Sequence, residues 1–202
     1  MPATESTLAP LGALARDFRL PDVAHPGKTV ALQDFIGRKA LLAIFLSPHC
    51  PFVKHVAREL AAIGEEYQKK GVGIVGISAN DVEAYPDDAP DKVAEFGAQY
   101  GITFPLLFDE DQEVAKAYRA ACTPDFFVYD GDLRLAYRGQ LDENRPKNDL
   151  PVTGRDIRAA LDAILEGRRV SSDQRPSIGC NIKWKAGSEP EYFLAPAAAA
   201  HA

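Results

Sequence analysis

The sequence predicts an α/β fold in which a central sheet with parallel strands is flanked by helices. Three observations lead there. Residues 41–46, Leu-Leu-Ala-Ile-Phe-Leu, are apolar without interruption and stop at Ser47-Pro48, the pattern of a strand buried on both faces. From residue 51 the spacing changes to threes and fours, with Val53, Val56, Leu60, Ile63 and Tyr67 apolar and Lys54, Arg58, Glu59, Glu65, Glu66 and Lys69 between them, so one stripe of a long helix faces inward. Residues 72–78 are a second apolar run, β-branched at Val72, Ile74, Val75 and Ile77. Strand, helix and strand within about forty residues make a βαβ unit.

The remaining elements follow in order. Residues 1–12 read as a flexible tail. Phe18, Leu20, Val23, Val30 and Leu32, broken by Pro21, Pro26 and Gly27, predict a small N-terminal β-hairpin. Asp34-Phe35-Ile36-Gly37 predicts one helical turn ending at glycine. Residues 79–90 form an acidic, proline-bracketed loop at the carboxyl end of a strand, the edge where α/β proteins bind ligands, and its carboxylates are expected to be solvated. A helix is predicted over 91–100, a strand over 103–108, and a second helix over 109–119 with Asp109 as N-cap. Around Phe126 to Gly139 two strands are expected to turn tightly at Asp130-Gly131, with Thr123-Pro124 at the entry, where proline offers no backbone donor. A closing helix over 152–167 takes Thr153 as its candidate cap and buries Ile157, Leu161, Ile164 and Leu165. At 202 residues, 46% hydrophobic and 26% charged, the chain suits one core. That domain spans 13–170, followed by a C-terminal extension, 171–202, that carries Cys180 and an alanine-rich tail.

A net charge of -6 argues against nucleic acid or an anionic membrane as partner. No uncharged run reaches the ~18 residues of a membrane span, and residues 1–10 carry no signal-like pattern, so a soluble, cytoplasmic protein is expected. Three cysteines, at 50, 122 and 180, are odd in number and far apart. That pattern suits free, transient or catalytic thiols in a reducing compartment.

Cys50 carries the chemistry. Pro51 suits the first helical position, which places Cys50 at the N-cap, where free backbone N–H groups and the helix dipole favour a thiolate. His49 and His55 flank it, and either could stabilise that thiolate or pass a proton. The spacing of His49, Cys50 and His55 matches no metal site, so neither metal nor cofactor is expected. A thiolate here would attack a peroxide oxygen or a disulfide sulfur, and a second thiol would then resolve the product. Cys180, on an irregular C-terminal segment able to fold back, is favoured over Cys122, which alternation turns away if Thr123 faces the site. An external thiol could replace both. The alternatives to an enzyme are a binding module that uses the cleft without turnover and a redox sensor.

The run Ser47-Pro48-His49-Cys50-Pro51-Phe52-Val53-Lys54-His55 stands with three others: the stretch from Asn80 to Asp88, Cys122-Thr123-Pro124-Asp125-Phe126-Phe127, and Ser177-Ile178-Gly179-Cys180. Together they resemble the thioredoxin superfamily, and within it the peroxiredoxin-like proteins of alkyl hydroperoxide reductase and thiol-specific antioxidant type that carry His-Cys-Pro-(Phe/Tyr)-Val-Lys-His. The resemblance covers residues 18 to 184. It implies a thioredoxin-like fold, a cis peptide before Pro124, and a Thr123-Pro124 loop lying against the Cys50 thiol. It also implies an antioxidant-type oxidoreductase acting on a small peroxide or a protein disulfide, with a thioredoxin-type or low-molecular-weight thiol as reductant, and a homodimer as one assembly. The site residues would be Cys50, Cys180 and Cys122, supported by Ser47, His49, Pro51, His55, Thr123 and Pro124. Val53 occupies the second cysteine position of the thioredoxin Cys-x-x-Cys and also the place of the peroxidatic cysteine of true peroxiredoxins. The arginine of those enzymes falls on Pro124 and their upstream proline on Ala43. Arg138 is the nearest substitute cation and reads as a surface residue.

Overall fold

The structure, a computed structural model, describes residues 3–7 and 9–194; the alanine-rich tail lies outside the described residues. In chain order the elements are β1 (Thr4–Glu5), β2 (Arg19–Pro21), β3 (Thr29–Ala31), β4 (Ala40–Phe45), α1 (Pro51–Lys69), β5 (Val72–Ser78), α2 (Pro90–Tyr100), β6 (Leu106–Phe108) and α3 (Glu113–Tyr118). Then come β7 (Cys122–Thr123), β8 (Asp125–Asp130), β9 (Leu135–Gly139), α4 (Arg155–Leu165), β10 (Ile178–Asn181) and α5 (Glu191–Leu194). The central sheet runs β6-β5-β4-β8-β9, with β4, β5 and β6 parallel and β8 and β9 antiparallel to their neighbours.

Strand alternation sends the two faces of β4 to separate cores. Leu42, Ile44 and Leu46 pack with α1, α2 and α4 through Val53, Leu60, Phe96 and Leu161. Leu41, Ala43 and Phe45 pack with the β2–β3 hairpin, α3 and the segment after β10, through Leu20, Tyr118 and Trp184. Both faces are dry, which is why the sequence of β4 shows no polar alternation. The Val53, Val56, Leu60, Ile63 and Tyr67 stripe is buried along α1. No described helix is long and apolar enough to cross a membrane.

Several expectations are corrected by non-local contacts. The N-terminal tail is tied down where it is described: Thr4 and Glu5 pair with Gly179 and Ile178, and the Ser6 hydroxyl donates to Asp125 at 2.8 Å. The strand expected over 103–108 begins only at Leu106, since Pro105 has no N–H to give the ladder and Thr103 turns to Gln68. Asp109 is no N-cap. It is fully buried, accepts from the backbone N–H of Ala115 at 2.8 Å and of Val114 at 3.3 Å, and burial pushes its carboxyl up to about 7 against those bonds; Gln112, at φ 65°, caps α3. Asp142, not chiefly Thr153, holds the start of α4, taking the N–H groups of Thr153 and Gly154 at 2.6 and 2.8 Å. The β8–β9 connection is longer than an Asp-Gly turn: Asp130 N–H bonds to Arg134 O, and Leu133 takes φ 57°.

The C-terminal extension is also not irregular around Cys180. β10 is the middle strand of a small antiparallel sheet, β1-β10-β7, and beyond it Lys183 is fastened through its N–H to Asn80 and through its carbonyl to Gln112 and Asp81.

Candidate active site

β4 ends at Phe45 and the chain turns through Ser47, Pro48 and His49 to reach Cys50, the N-cap of α1 with Pro51 as the first helical residue. The Cys50 carbonyl accepts the Lys54 N–H at 3.0 Å, so the helix starts under the thiol. Its side chain has no exposed surface. The thiol donates to the carbonyl of Thr123 at 3.2 Å, and the Thr123–Pro124 peptide beside it is cis.

Cys180 lies opposite Thr123 across the β10–β7 ladder. Residues paired in this way carry their side chains to the same face, and Cys180 packs against the core cluster that holds Cys50. Burial first, and then the adjoining Cys50 side chain, push the Cys180 thiol well above its ordinary value. Cys180 is only half-buried.

Gly179 permits this approach. A Cβ there would stand 2.0 Å from the Thr123 carbonyl oxygen.

Ser47 and His49 belong to a second group around Asp88. The Asp88 carboxylate is fully buried and accepts from Ser47 Oγ at 2.8 Å and Asn80 Nδ2 at 2.6 Å, while His49 Nδ1 sits 2.5 Å from it. With Nδ1 committed, Nε2 is the His49 nitrogen left to exchange a proton. The ring stacks on Tyr85 at 6.0 Å and 7°. Asp88 was expected on the surface; what buries it is the 3-10 turn Pro86–Asp88, which folds the acidic loop onto the start of α1. Nothing in the sequence separates Asp88 from Asp87 beside it. Asp88→Ala should leave Ser47, Asn80 and His49 unmatched in the interior and lower the unfolding free energy by about 3 kcal/mol. Urea denaturation would measure this, and a loss below about 1 kcal/mol would show that the group does not hold the turn.

The other candidates lie apart. His55 points to Asn144 and lines a cleft with Phe52, Pro124, Arg145 and Ile178. Cys122 is buried with its thiol directed at the Pro124 carbonyl, 3.6 Å away, and burial raises it well above its ordinary value. Arg138 is not a surface residue: its side chain is 3% exposed and its Nη2 bonds to Asp125 at 3.2 Å and to the Arg119 carbonyl at 2.8 Å. It pairs across the sheet with Phe127 and lies 4.4 Å from that ring, whereas Cys50 packs into the core on the opposite face. Arg138 is therefore no substitute cation for Cys50. A buried arginine requires a carboxylate, and Asp125, at the start of β8, is 119 positions from the Ser6 that also binds it, so local pattern could not reveal the cluster.

Residues 11–138 match the AhpC/TSA family. The chain belongs to that family. Peroxiredoxin Bcp of Escherichia coli is 30% identical over 128 residues, 62% of this chain and 76% of that protein. The thiol-disulfide oxidoreductase ResA of Geobacillus thermodenitrificans is 29% identical over 152 residues, 73% of this chain and 80% of its own. An uncharacterized conserved protein from Geobacillus kaustophilus has a solved structure with TM-score 0.89 and 53% identity, covering 92% of this chain and 98% of that one. Peroxidoxin BcpB from Mycobacterium tuberculosis shares the thioredoxin-like fold at TM-score 0.56 and 20% identity, over 78% of this chain and 96% of that one. As a peroxiredoxin-like AhpC/TSA protein, the chain is a thiol-dependent oxidoreductase of antioxidant type. The family match ends at residue 138, before β10 and Cys180.

Proposed function

We propose that the protein is a two-cysteine peroxidase in which Cys50 is oxidised by a small hydroperoxide and Cys180 resolves it. The observation that carries this reading is the packing of Cys180 against the core cluster that holds Cys50 within one folded chain, although the two cysteines are 130 positions apart in sequence. Cys50 sulfur bonds to one peroxide oxygen as the O–O bond breaks, giving a sulfenic acid, and the departing hydroxide takes the thiol proton and leaves as water. Cys180 sulfur then displaces the sulfenic oxygen, and its proton leaves with that oxygen as a second water. Two electrons from two molecules of an external thiol restore the pair.

Burial decides which molecule meets which sulfur. A protein disulfide has no path to a Cys50 without exposed surface, which favours a small peroxide as oxidant. Cys180 is the sulfur that a thiol reductant, protein or small, would reach, with the cytoplasm as the setting that supplies one. Both sulfurs come from one chain, so the cycle needs no second copy. In this reading His49, held by Asp88, carries the proton, and Cys122 stays structural.

Intact mass and peptide mapping after one equivalent of hydrogen peroxide test the cycle. The expected product has lost two hydrogens and yields a Cys50–Cys180 crosslinked peptide. An unmodified Cys50, or a crosslink from Cys50 to Cys122, overturns the proposal.

A further inference from the structure

The Thr123 side chain is 3% exposed, and among the described residues its hydroxyl has no hydrogen-bond partner. A buried hydroxyl without a partner costs about 1–3 kcal/mol, so such a group is retained against a penalty unless something occupies it in another state. Ser78 Oγ, Trp184 Nε1 and two nitrogens of Arg138 are also buried and unpartnered. Thr123 differs from them in place: its own carbonyl accepts from the Cys50 thiol, and it stands directly across the ladder from Cys180. Position on that ladder puts its side chain on the face that brings Cys180 to Cys50. Pro124 follows and Gly179 packs on its carbonyl, so the backbone that carries the hydroxyl is gripped from both sides. A donor without a partner is thus held on the residue whose carbonyl receives the Cys50 thiol.

Oxidation of Cys50 supplies an acceptor there. As the sulfur attacks and the O–O bond breaks, two electrons pass from sulfur to the peroxide and negative charge builds on the oxygen that departs. We propose that Thr123 is a catalytic residue, whose hydroxyl donates a hydrogen bond to the departing peroxide oxygen. No cation is needed at the sulfur for this, and Arg138 lies on the other face of the sheet. A fixed donor aimed at developing charge in a dry site is worth about a hundredfold in rate. The inference rests on the peroxidase reading above and adds to it the group that polarises the peroxide.

Thr123→Val keeps the β-branched shape and removes only the hydroxyl. The rate of Cys50 oxidation by hydrogen peroxide, followed by quench and mass analysis, should fall about a hundredfold. The rate of Cys50 alkylation by iodoacetamide, a reaction in which no peroxide oxygen departs, should stay within about twofold of wild type. Thr123→Ser should recover most of the oxidation rate, and the thermal midpoint of Thr123→Val should be unchanged or higher. Oxidation of Thr123→Val at the wild-type rate overturns the inference. An equal fall in oxidation and alkylation overturns it too, since it would show that Thr123 only places the thiol. Failure of wild-type Cys50 to react with peroxide would remove the peroxidase reading itself, an outcome visible before any Thr123 variant is made.

Discussion

Cys50→Ser abolishes peroxide consumption, with a fall of at least about a thousandfold, because a serine hydroxyl in the same place is neither ionised near neutral pH nor a comparable nucleophile. The effect of Cys180→Ser is different in kind. Its first oxidation by peroxide proceeds within a few-fold of wild type, but the Cys50 sulfenic acid accumulates, gains a second oxygen under excess peroxide, and turnover with a thiol reductant stops after about one cycle. Cys122→Ala should retain both the crosslink and the turnover. A stopped assay with mass analysis at each time point separates the three variants. If Cys180→Ser turned over like wild type, an external thiol would be resolving Cys50 directly, and the contact between the two sulfurs would have no part in the cycle.

Gly179→Ala is the second large effect, and it acts through geometry alone. The added Cβ would lie 2.0 Å from the Thr123 carbonyl oxygen and 2.6 Å from its carbon, both backbone atoms, so no side-chain adjustment relieves the overlap. β10 must then move off β7, which carries Cys180 away from Cys50 and loosens the carbonyl that receives the Cys50 thiol. We expect a loss of about 3 kcal/mol in stability and at least a tenfold drop in the yield of the Cys50–Cys180 crosslink at equal peroxide. Gly101→Ala is the control. Gly101 takes φ 70° with nothing near its missing Cβ, so the substitution costs about 1 kcal/mol of backbone strain and leaves crosslinking untouched. Equal crosslinking in Gly179→Ala and wild type would show that β10 does not need this close contact to present Cys180.

Where the sequence was legible, the information was local. The bounds of β5 are those of the run from Val72 to Ser78 itself, and α1 begins at the proline that suits a first helical position. The hairpin, β4 and the buried stripe of α1 follow from the same periodicities. Local signals misled where a side chain was recruited from a distance. Asp109 looked like a cap, but sheet pairing continues through its N–H to Ser78, which pulls the carboxylate beneath α3. Asp142 took the capping task from Thr153 because the β9–α4 connection doubles back to bring it there from 11 positions earlier. Asp88 and Arg138 carry charges that pattern assigns to solvent, and each is buried by partners it could not have been matched with in advance: Ser47 and Asn80 for the first, Asp125 for the second.

The cysteines divide the same way. By itself the sequence determined the α/β class, the βαβ unit and the delivery of Cys50 to a helix start, since each depends on residues within a few turns of one another and on backbone periods of two and 3.6. Which thiol faces Cys50, what holds His49, and where a hydroxyl waits without a partner were decided only by tertiary structure. Those outcomes depend on the register of β10 against β7 and on how the acidic loop folds over α1. That register pairs Cys180 with a residue 57 positions away in the chain, and a shift of one residue would turn Cys180 to the opposite face.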